Sequence, residues 1–295
     1  MSLNLESAQA HAARRLRERG IDTAALDARA LMKSATGFSL EELIVKGRDP
    51  LGTQAEQLFD GFVERRLAGE PVSRIRGTRE FFGRNFKIDA STLDPRPDTE
   101  TLIEAVLAFA GRDAVGQDLR LLDLGTGSGC ILTTLLAELP RATGTGTDIN
   151  PGAVRLARKN AFELGVSSRA QFVMADWFQG LTGRYDVIVS NPPYIVSAEI
   201  EGLAPEVAHY DPRVALDGGA DGLDAYRRIA ARAGDFLAPN GLLLVEIGVA
   251  QAVDVESIFR SAGLAVTGNG ATKDLAGRPR CICAKISSHQ GCGSL

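Results

Sequence analysis

From residue 119 onward, short apolar runs of strand length alternate with longer stretches of helical period. That alternation confines the chain to a mainly parallel sheet covered by helices on both faces. The strand-like runs are Arg120–Leu124, Thr143–Thr147, Gln171–Ala175, Tyr185–Ser190, Leu242–Ile247, Leu264–Thr267 and Arg280–Ile286. Helices fit Cys130–Leu139, Pro151–Leu164, Ala225–Leu237 and Gln251–Ser261. Ligands of such sheets sit beyond the carboxyl ends of the strands, near the switch in strand order. The residues just after each strand are therefore the ones to read for chemistry.

The first 70 residues differ. Leu5, Ala8, Ala12 and Leu16 repeat at helical spacing until Gly20, and a second helix fits Ala24 to Ser34 before Gly37. Ser39 with Glu42 makes a capping-box pattern, and Thr53 with Glu56 repeats it before Leu58, Phe59, Phe62, Val63 and Leu67. Residues 1–70 thus read as a small helical bundle, either a packing domain or a platform for a partner. Phe81, Phe82, Phe86 and Ile88 flank Gly83-Arg84-Asn85, a hairpin signal that makes 71–93 a linker. Pro97, Asp98 and Glu100 suit the first turn of a helix. Residues 94–286 form the main domain, and 287–295 a flexible tail.

Composition narrows the class. Lys and Arg number 33 against 37 Asp and Glu, a net charge of −4, which does not favour a stable nucleic-acid binder. No apolar run approaches the ~20 residues of a membrane span, and the N-terminus lacks a signal-peptide pattern, so a cytoplasmic protein is expected. The cysteines are Cys130, Cys281, Cys283 and Cys292. No C-x-x-C or finger spacing appears, so no metal is expected. Reduced structural thiols are expected, with Cys281 and Cys283 on opposite faces of a strand.

Three motifs carry chemistry. Asp123-Leu124-Gly125-Thr126-Gly127-Ser128-Gly129 joins a strand to a helix with G-x-G-x-G spacing, not the G-x-G-x-x-G of dinucleotide folds, and no Walker lysine follows. Asp148, ending the next strand, can accept both hydroxyls of a ribose. Asp123 would repel a pyrophosphate and attract an ammonium. Together these favour S-adenosylmethionine over a dinucleotide. Asp176-Trp177, after the third strand, can accept from an adenine amino group and stack on its ring. Asn191-Pro192-Pro193-Tyr194 follows the fourth strand. Its prolines remove two N–H donors and leave acceptors, the Asn191 side-chain oxygen and the Pro192 carbonyl, for a planar NH2 group. Tyr194 is expected to wall the methyl and the attacking nitrogen. His11 and His209 sit in no motif, so no general base is expected. Residues Glu199 to Gly222 are long enough for a lid.

In combination these motifs resemble class I S-adenosylmethionine-dependent methyltransferases, with a Rossmann-like, seven-stranded, mostly parallel sheet. More closely the chain is similar to the HemK/PrmC family, glutamine methyltransferases of peptide-chain release factors. The resemblance also rests on Arg79 to Gly83, Pro95 to Glu100, Asp176-Trp177-Phe178, and Asp211 to Gly219. It implies S-adenosylmethionine at Gly125, Thr126, Gly127, Ser128, Gly129, Asp148, Trp177 and Asn191, to which the reading of the residues adds Asp123 and Asp176. It implies substrate glutamine at Asn191, Pro192, Pro193 and Tyr194, with Asn191, Pro192 and Tyr194 catalytic. A class I release factor is the implied partner; a monomer is expected. Glutamine methylation of a large-subunit ribosomal protein and amino-methylation of nucleic acid are the alternatives.

Overall fold

The computed structural model describes residues 4–111, 118–268, 270–274 and 276–287. The expected tail beyond Ser287, with Cys292, lies outside the described residues. The chain divides into two units, residues 1–78 with 204–210 and residues 79–203 with 211–295.

The first unit is helical: α1 (Leu5–Glu18), α2 (Ala24–Thr36), α3 (Leu40–Val45), α4 (Thr53–Leu67) and α5 (Val72–Arg76). Leu5, Ala8, Ala12 and Leu16 form the buried stripe of α1, as their spacing dictates. The Asn4 side chain accepts from Ser7 N–H at 2.7 Å and caps that helix. Ser39 and Glu42 form the reciprocal capping box. Thr53 does not repeat it. Gly52 takes the N-cap position in an extended conformation, and Thr53 is already helical, so no side chain caps α4. The stretch expected as linker from residue 71 begins instead with α5. Arg66, 5% exposed, satisfies its buried guanidinium on Asp27 (2.7 Å) and Glu206 (2.5 Å) within this unit.

Strands β1 (Thr78–Phe81) and β2 (Arg84–Lys87) make the hairpin. Its turn is Phe82-Gly83, not Gly83 to Asn85. Both turn residues have positive φ (49° and 69°), the conformation whose twist matches two flanking strands. Phe82 N–H donates to Glu100 Oε1 at 2.9 Å, which holds this strained residue.

The second unit continues with a 3-10 turn (Pro97–Thr99) and α6 (Glu100–Ala110), then β3 (Arg120–Leu124), α7 (Cys130–Glu138), β4 (Thr143–Asp148), α8 (Pro151–Glu163), β5 (Ala170–Met174) and β6 (Tyr185–Ser190). After β6 the chain adds α9 (Pro205–Ala208) to the first unit, and the second unit resumes with α10 (Asp224–Phe236), β7 (Leu237–Glu246), α11 (Ala252–Ser261), β8 (Leu264–Val266), β9 (Thr272–Lys273) and β10 (Pro279–Ile286). The sheet order is β5-β4-β3-β6-β7-β10-β8, with the two-residue β9 on β10. Strands β5 through β7 are parallel, and β10 runs antiparallel to both neighbours. All seven expected strands are present, and the doubly covered, mostly parallel sheet is as read from the sequence.

Alternation along each strand divides the core. Leu121, Val187, Val189 and Leu244 pack in one cluster, and Leu122, Ile188, Leu243 and Val245 in another. Cys281 and Cys283 contradict the expectation of opposite faces. Residues i and i+2 of a strand share a face, and their sulfurs lie 4.0 Å apart.

Candidate active site

The site begins with register. Leu124, the last residue of β3, pairs with Ser190, the last of β6. The glycine loop and the Asn191 tetrapeptide therefore leave the sheet side by side. Ser190 Oγ donates to Leu124 O at 2.8 Å and ties the two exits together. These strands flank the point where the strand order reverses, the place where such sheets bind ligands.

The loop is held open by its neighbours. Thr126 N–H donates to Thr147 O (2.8 Å), and Gly127 N–H donates to Asp148 Oδ2 (2.9 Å). Gly127 has a φ of 55°, which a residue with a side chain adopts only at a cost. A Cβ on Gly146 of β4 would lie 2.7 Å from the Phe172 ring and 2.9 Å from Thr126 Oγ1, so glycine there makes room for the loop. Asn160 on α8 braces it from behind. Its Nδ2 donates to Ser128 O (2.8 Å) and Lys87 O (3.0 Å), and its Oδ1 accepts from Lys87 N–H (2.9 Å).

A cavity of about 270 Å³ opens over these strand ends. Gly125, Thr126, Gly127, Ser128, Asp148, Asp176, Trp177, Asn191 and Pro193 line it, so the structure brings most of the sequence-predicted residues together. Asp148 spends Oδ1 on Asn150 N–H (2.8 Å) and Oδ2 on Gly127 N–H, and burial raises its pKa against those bonds. Each oxygen keeps a lone pair for a ribose hydroxyl. Asp176 pairs with Arg228, which also lies over the Trp177 ring at 5.9 Å. Trp177 has a φ of 53°, a strained backbone of the kind that clusters at ligand sites. Asp148, Asp176, Asp217 and Asp224 face the cavity with Arg228 as the lining cation. That excess of carboxylates suits a ligand bearing a sulfonium and an ammonium, and the donor set fits S-adenosylmethionine.

Four predicted residues do not line the cavity: Asp123, Gly129, Pro192 and Tyr194. Asp123 is fully buried and accepts at Oδ2 from Thr126 Oγ1 (2.6 Å). It shapes the loop from below. Burial pushes its carboxyl up to about 7. A carboxyl raised this way keeps its proton in the folded chain after the unfolded chain has lost it, so stability falls as pH rises from about 4 to about 7. The displacement from 3.8 to about 7 corresponds to roughly 4 kcal/mol. The stability of Asp123→Asn relative to the parent should therefore improve by that amount between pH 4 and pH 8, read by chemical denaturation. A gap that does not change with pH would remove the effect. Gly129 has a φ of 77°, and a Cβ on it would come 3.0 Å from the Cβ of Ala157, which is a packing constraint. Tyr194 turns from the cavity, packs on the second core cluster and donates to Glu246 Oε1 at 3.3 Å.

Two stretches were not read as site residues. Thr99, Pro95 and Leu93 line the cavity, and Asn191 Nδ2 donates to Thr99 Oγ1 at 3.0 Å. Pro212, Val214, Ala215 and Asp217 line it too. Arg96 Nη2 donates to the buried Asp211 (2.6 Å), and Asp94 N–H donates to the same carboxylate (3.1 Å), which links these two stretches. The expected lid is folded. Gly218 N–H donates to Ile195 O (2.8 Å) and Ser197 N–H to Gly219 O (2.9 Å), while short 3-10 helices span Ser197–Gly202 and Arg213–Ala215. Neither His11 nor His209 lines the cavity.

Residues 7–77 match the PrmC N-terminal domain, and 99–207 match the methyltransferase small domain. A release factor glutamine methyltransferase of Bradyrhizobium diazoefficiens is 45% identical, over 96% of this chain and 95% of that protein. The chain belongs to the release factor glutamine methyltransferase family. The Rhodospirillum rubrum member is 48% identical over 92% of this chain and 82% of its own length. Among solved structures, a Pyrococcus furiosus methyltransferase (TM-score 0.51, 16% identity, 70% of this chain and 90% of that one) shares the fold. The hMettl16 catalytic domain does as well (0.56, 19%, 70% and 77%). The family membership makes the chain an S-adenosylmethionine-dependent methyltransferase with a Rossmann-like sheet.

Proposed function

We propose that this enzyme methylates the side-chain nitrogen of the glutamine in the Gly-Gly-Gln motif of class I release factors, with Asn191 and Pro192 as the acceptors that hold that nitrogen. The observation that carries the reading is the Leu124–Ser190 register, which sets the acceptor tetrapeptide beside the glycine loop. The relatives' shared name supports the choice of substrate. S-adenosylmethionine, when bound, supplies an electrophilic methyl on sulfonium sulfur.

An amide nitrogen is a poor nucleophile, because its lone pair is delocalised into the carbonyl. The chain offers positioning in place of a strong base. Asn191 Nδ2 is engaged by Thr99, which leaves Asn191 Oδ1 as an acceptor toward the cavity. The second acceptor of this reading, the carbonyl of Pro192, belongs to a buried residue outside the cavity lining; with Asn191 Oδ1 it would fix the plane of the substrate NH2 and stabilise the positive charge that grows on nitrogen. The substrate nitrogen would take the methyl carbon as its bond to sulfur breaks, with the bonding pair left on sulfur. The surplus proton leaves to water. With the cofactor bound, Asp148 would hold its ribose, and Trp177 with Asp176 its base.

The same reading takes the helical unit as the platform for the protein substrate and the enzyme as a cytoplasmic monomer. No described helix is long and apolar enough to cross a membrane. The test is transfer of labelled methyl from S-adenosylmethionine to an intact release factor, beside one whose Gly-Gly-Gln glutamine is alanine. Label only on the first is the expected result. Label on both would name another acceptor residue. Label on neither would favour a ribosomal-protein or nucleic-acid substrate.

A further inference from the structure

Three stretches of chain that border the cavity are hydrogen-bonded into a closed ring. The first carries Pro95 and Thr99, the second Asn191 and Pro193, the third Pro212 and Ala215. Thr99 joins the first to the second, since its Oγ1 accepts from Asn191 Nδ2 at 3.0 Å. Ile195, just after the tetrapeptide, joins the second to the third. Its N–H donates to Leu216 O (2.9 Å), and its carbonyl accepts from Gly218 N–H (2.8 Å). The approach is backbone to backbone: a Cβ on Gly218 would stand 2.8 Å from Tyr194 Cα. From Leu216 the 3-10 helix leads back to Asp211, with Leu216 N–H on Arg213 O (2.9 Å) and Ala215 N–H on Pro212 O (2.8 Å). Asp211 closes the ring. Its Oδ2 accepts from Arg96 Nη2 (2.6 Å) and its Oδ1 from Asp94 N–H (3.1 Å), while Arg96 O accepts from Thr99 N–H (3.1 Å).

The first stretch depends on that closure. Residues 93–96 lie in no helix or strand, and Pro95 and Pro97 have no N–H to give. The Asp94 N–H and the Arg96 guanidinium carry its attachment to Asp211. The Asp211 side chain is 2% exposed, so water competes little for these bonds, whereas that of Arg96 is 36% exposed and can turn to solvent once released. We propose that Asp211 is a positioning residue of the methyl transfer, which acts through Arg96 and Thr99 to hold the Asn191 amide in place against the substrate nitrogen. The inference rests on the reading of Asn191 as the acceptor. Asp211 itself does not line the cavity, so its effect on turnover runs along this path. With the closure broken, the turn that carries Thr99 loses its anchor, and the Asn191 oxygen loses its aim.

The experiment measures kcat of the full chain with a release-factor substrate, and the Kd of S-adenosylmethionine by equilibrium titration. The parent is compared with Asp211→Asn, Arg96→Met, Arg96→Lys, Asn191→Ala and the Asp211→Asn/Asn191→Ala double variant. Asp211→Asn keeps the shape and an acceptor for Asp94 N–H, but it sets an NH2 against Arg96 and breaks that bond. It removes a buried charge, so it is expected to fold, and thermal unfolding checks this. Arg96→Met breaks the same bond from the half-buried side and serves if the first variant does not fold.

Expected in both is a loss of about 10- to 100-fold in kcat, the scale of a small misplacement, with the cofactor Kd within about threefold. The Kd is spared because Asp148 holds the glycine loop through its own bond to Gly127, outside the ring. Arg96→Lys can still donate the single bond that Nη2 makes, so its kcat should return to within about fivefold of the parent. The double variant should be no slower than Asn191→Ala alone. A merely structural role would weaken cofactor binding in step with turnover and add its loss to that of Asn191→Ala. Parent-like kcat in Asp211→Asn or Arg96→Met, a lysine variant as slow as the methionine one, a Kd that rises as kcat falls, or additive losses in the double variant would each overturn the proposal. Parent-like turnover in Asn191→Ala would instead overturn the acceptor reading itself.

Discussion

Replacing Asn191 with alanine should lower kcat by about two to three orders of magnitude and leave the affinity for S-adenosylmethionine within about threefold. The separation follows from where Asn191 sits. Its amide lines the cavity and is tethered by Thr99, whereas Asp148 and the loop are held by their own hydrogen bonds without it. An acceptor aimed at developing charge in a water-poor cleft loses about 3 to 4 kcal/mol of barrier lowering when removed. Aspartate at the same place should restore little, because it cannot donate to Thr99. Single-turnover methyl transfer with saturating cofactor reads the effect on chemistry, and equilibrium titration reads the effect on binding. Equal losses in both would mean that Asn191 acts as a cofactor ligand and not as the substrate's acceptor.

Asp148→Ala should do the converse: raise the cofactor Kd on the order of 100-fold, with kcat at saturation changed far less. Two contributions add. The carboxylate accepts the Gly127 and Asn150 amides, charge-assisted bonds worth about 1.5–3 kcal/mol each when their partner is lost. It also offers the remaining lone pairs to a ribose. A 100-fold change in Kd is about 2.7 kcal/mol, within reach of either contribution. Asp148→Asn separates them, since asparagine retains one acceptor for Gly127 but not the charge. An unaltered Kd in the alanine variant, measured by titration calorimetry, would dismiss the ribose role.

The parts of this molecule that were legible in the sequence are those set by local rules. Strand period, the α1 stripe, the Ser39–Glu42 box and the two motif loops depend on residues within a turn or two of one another. The misreadings have local causes too. Thr53 matches a capping pattern, but the preceding glycine accepts the extended cap conformation and shifts the helix start by one residue. The hairpin turn falls on Phe82 because Glu100, distant in sequence, secures its N–H. What the sequence could not supply are contacts between stretches far apart in the chain. Thr99 meets Asn191 across 92 residues, and Asp94 meets Asp211 across 117. Asp123 reads as a ligand because a carboxylate just before the glycine loop would attract an ammonium. Its burial depends on Thr126 folding back over it, which no spacing encodes.

The pairing of Leu124 with Ser190 has a kinetic corollary. The two are 66 residues apart, and nothing in β3, β4 or β5 alone brings the tetrapeptide to the loop. On a ribosome or in refolding, the cleft cannot exist until β6 has joined β3, and such non-local pairing is slow compared with helix formation. An early collapsed species with helices and half a sheet would be blind to S-adenosylmethionine. Cofactor added during refolding should accordingly bind only after the central strands have closed, and its stabilising effect should appear in the unfolding rate and leave the first folding phase unchanged.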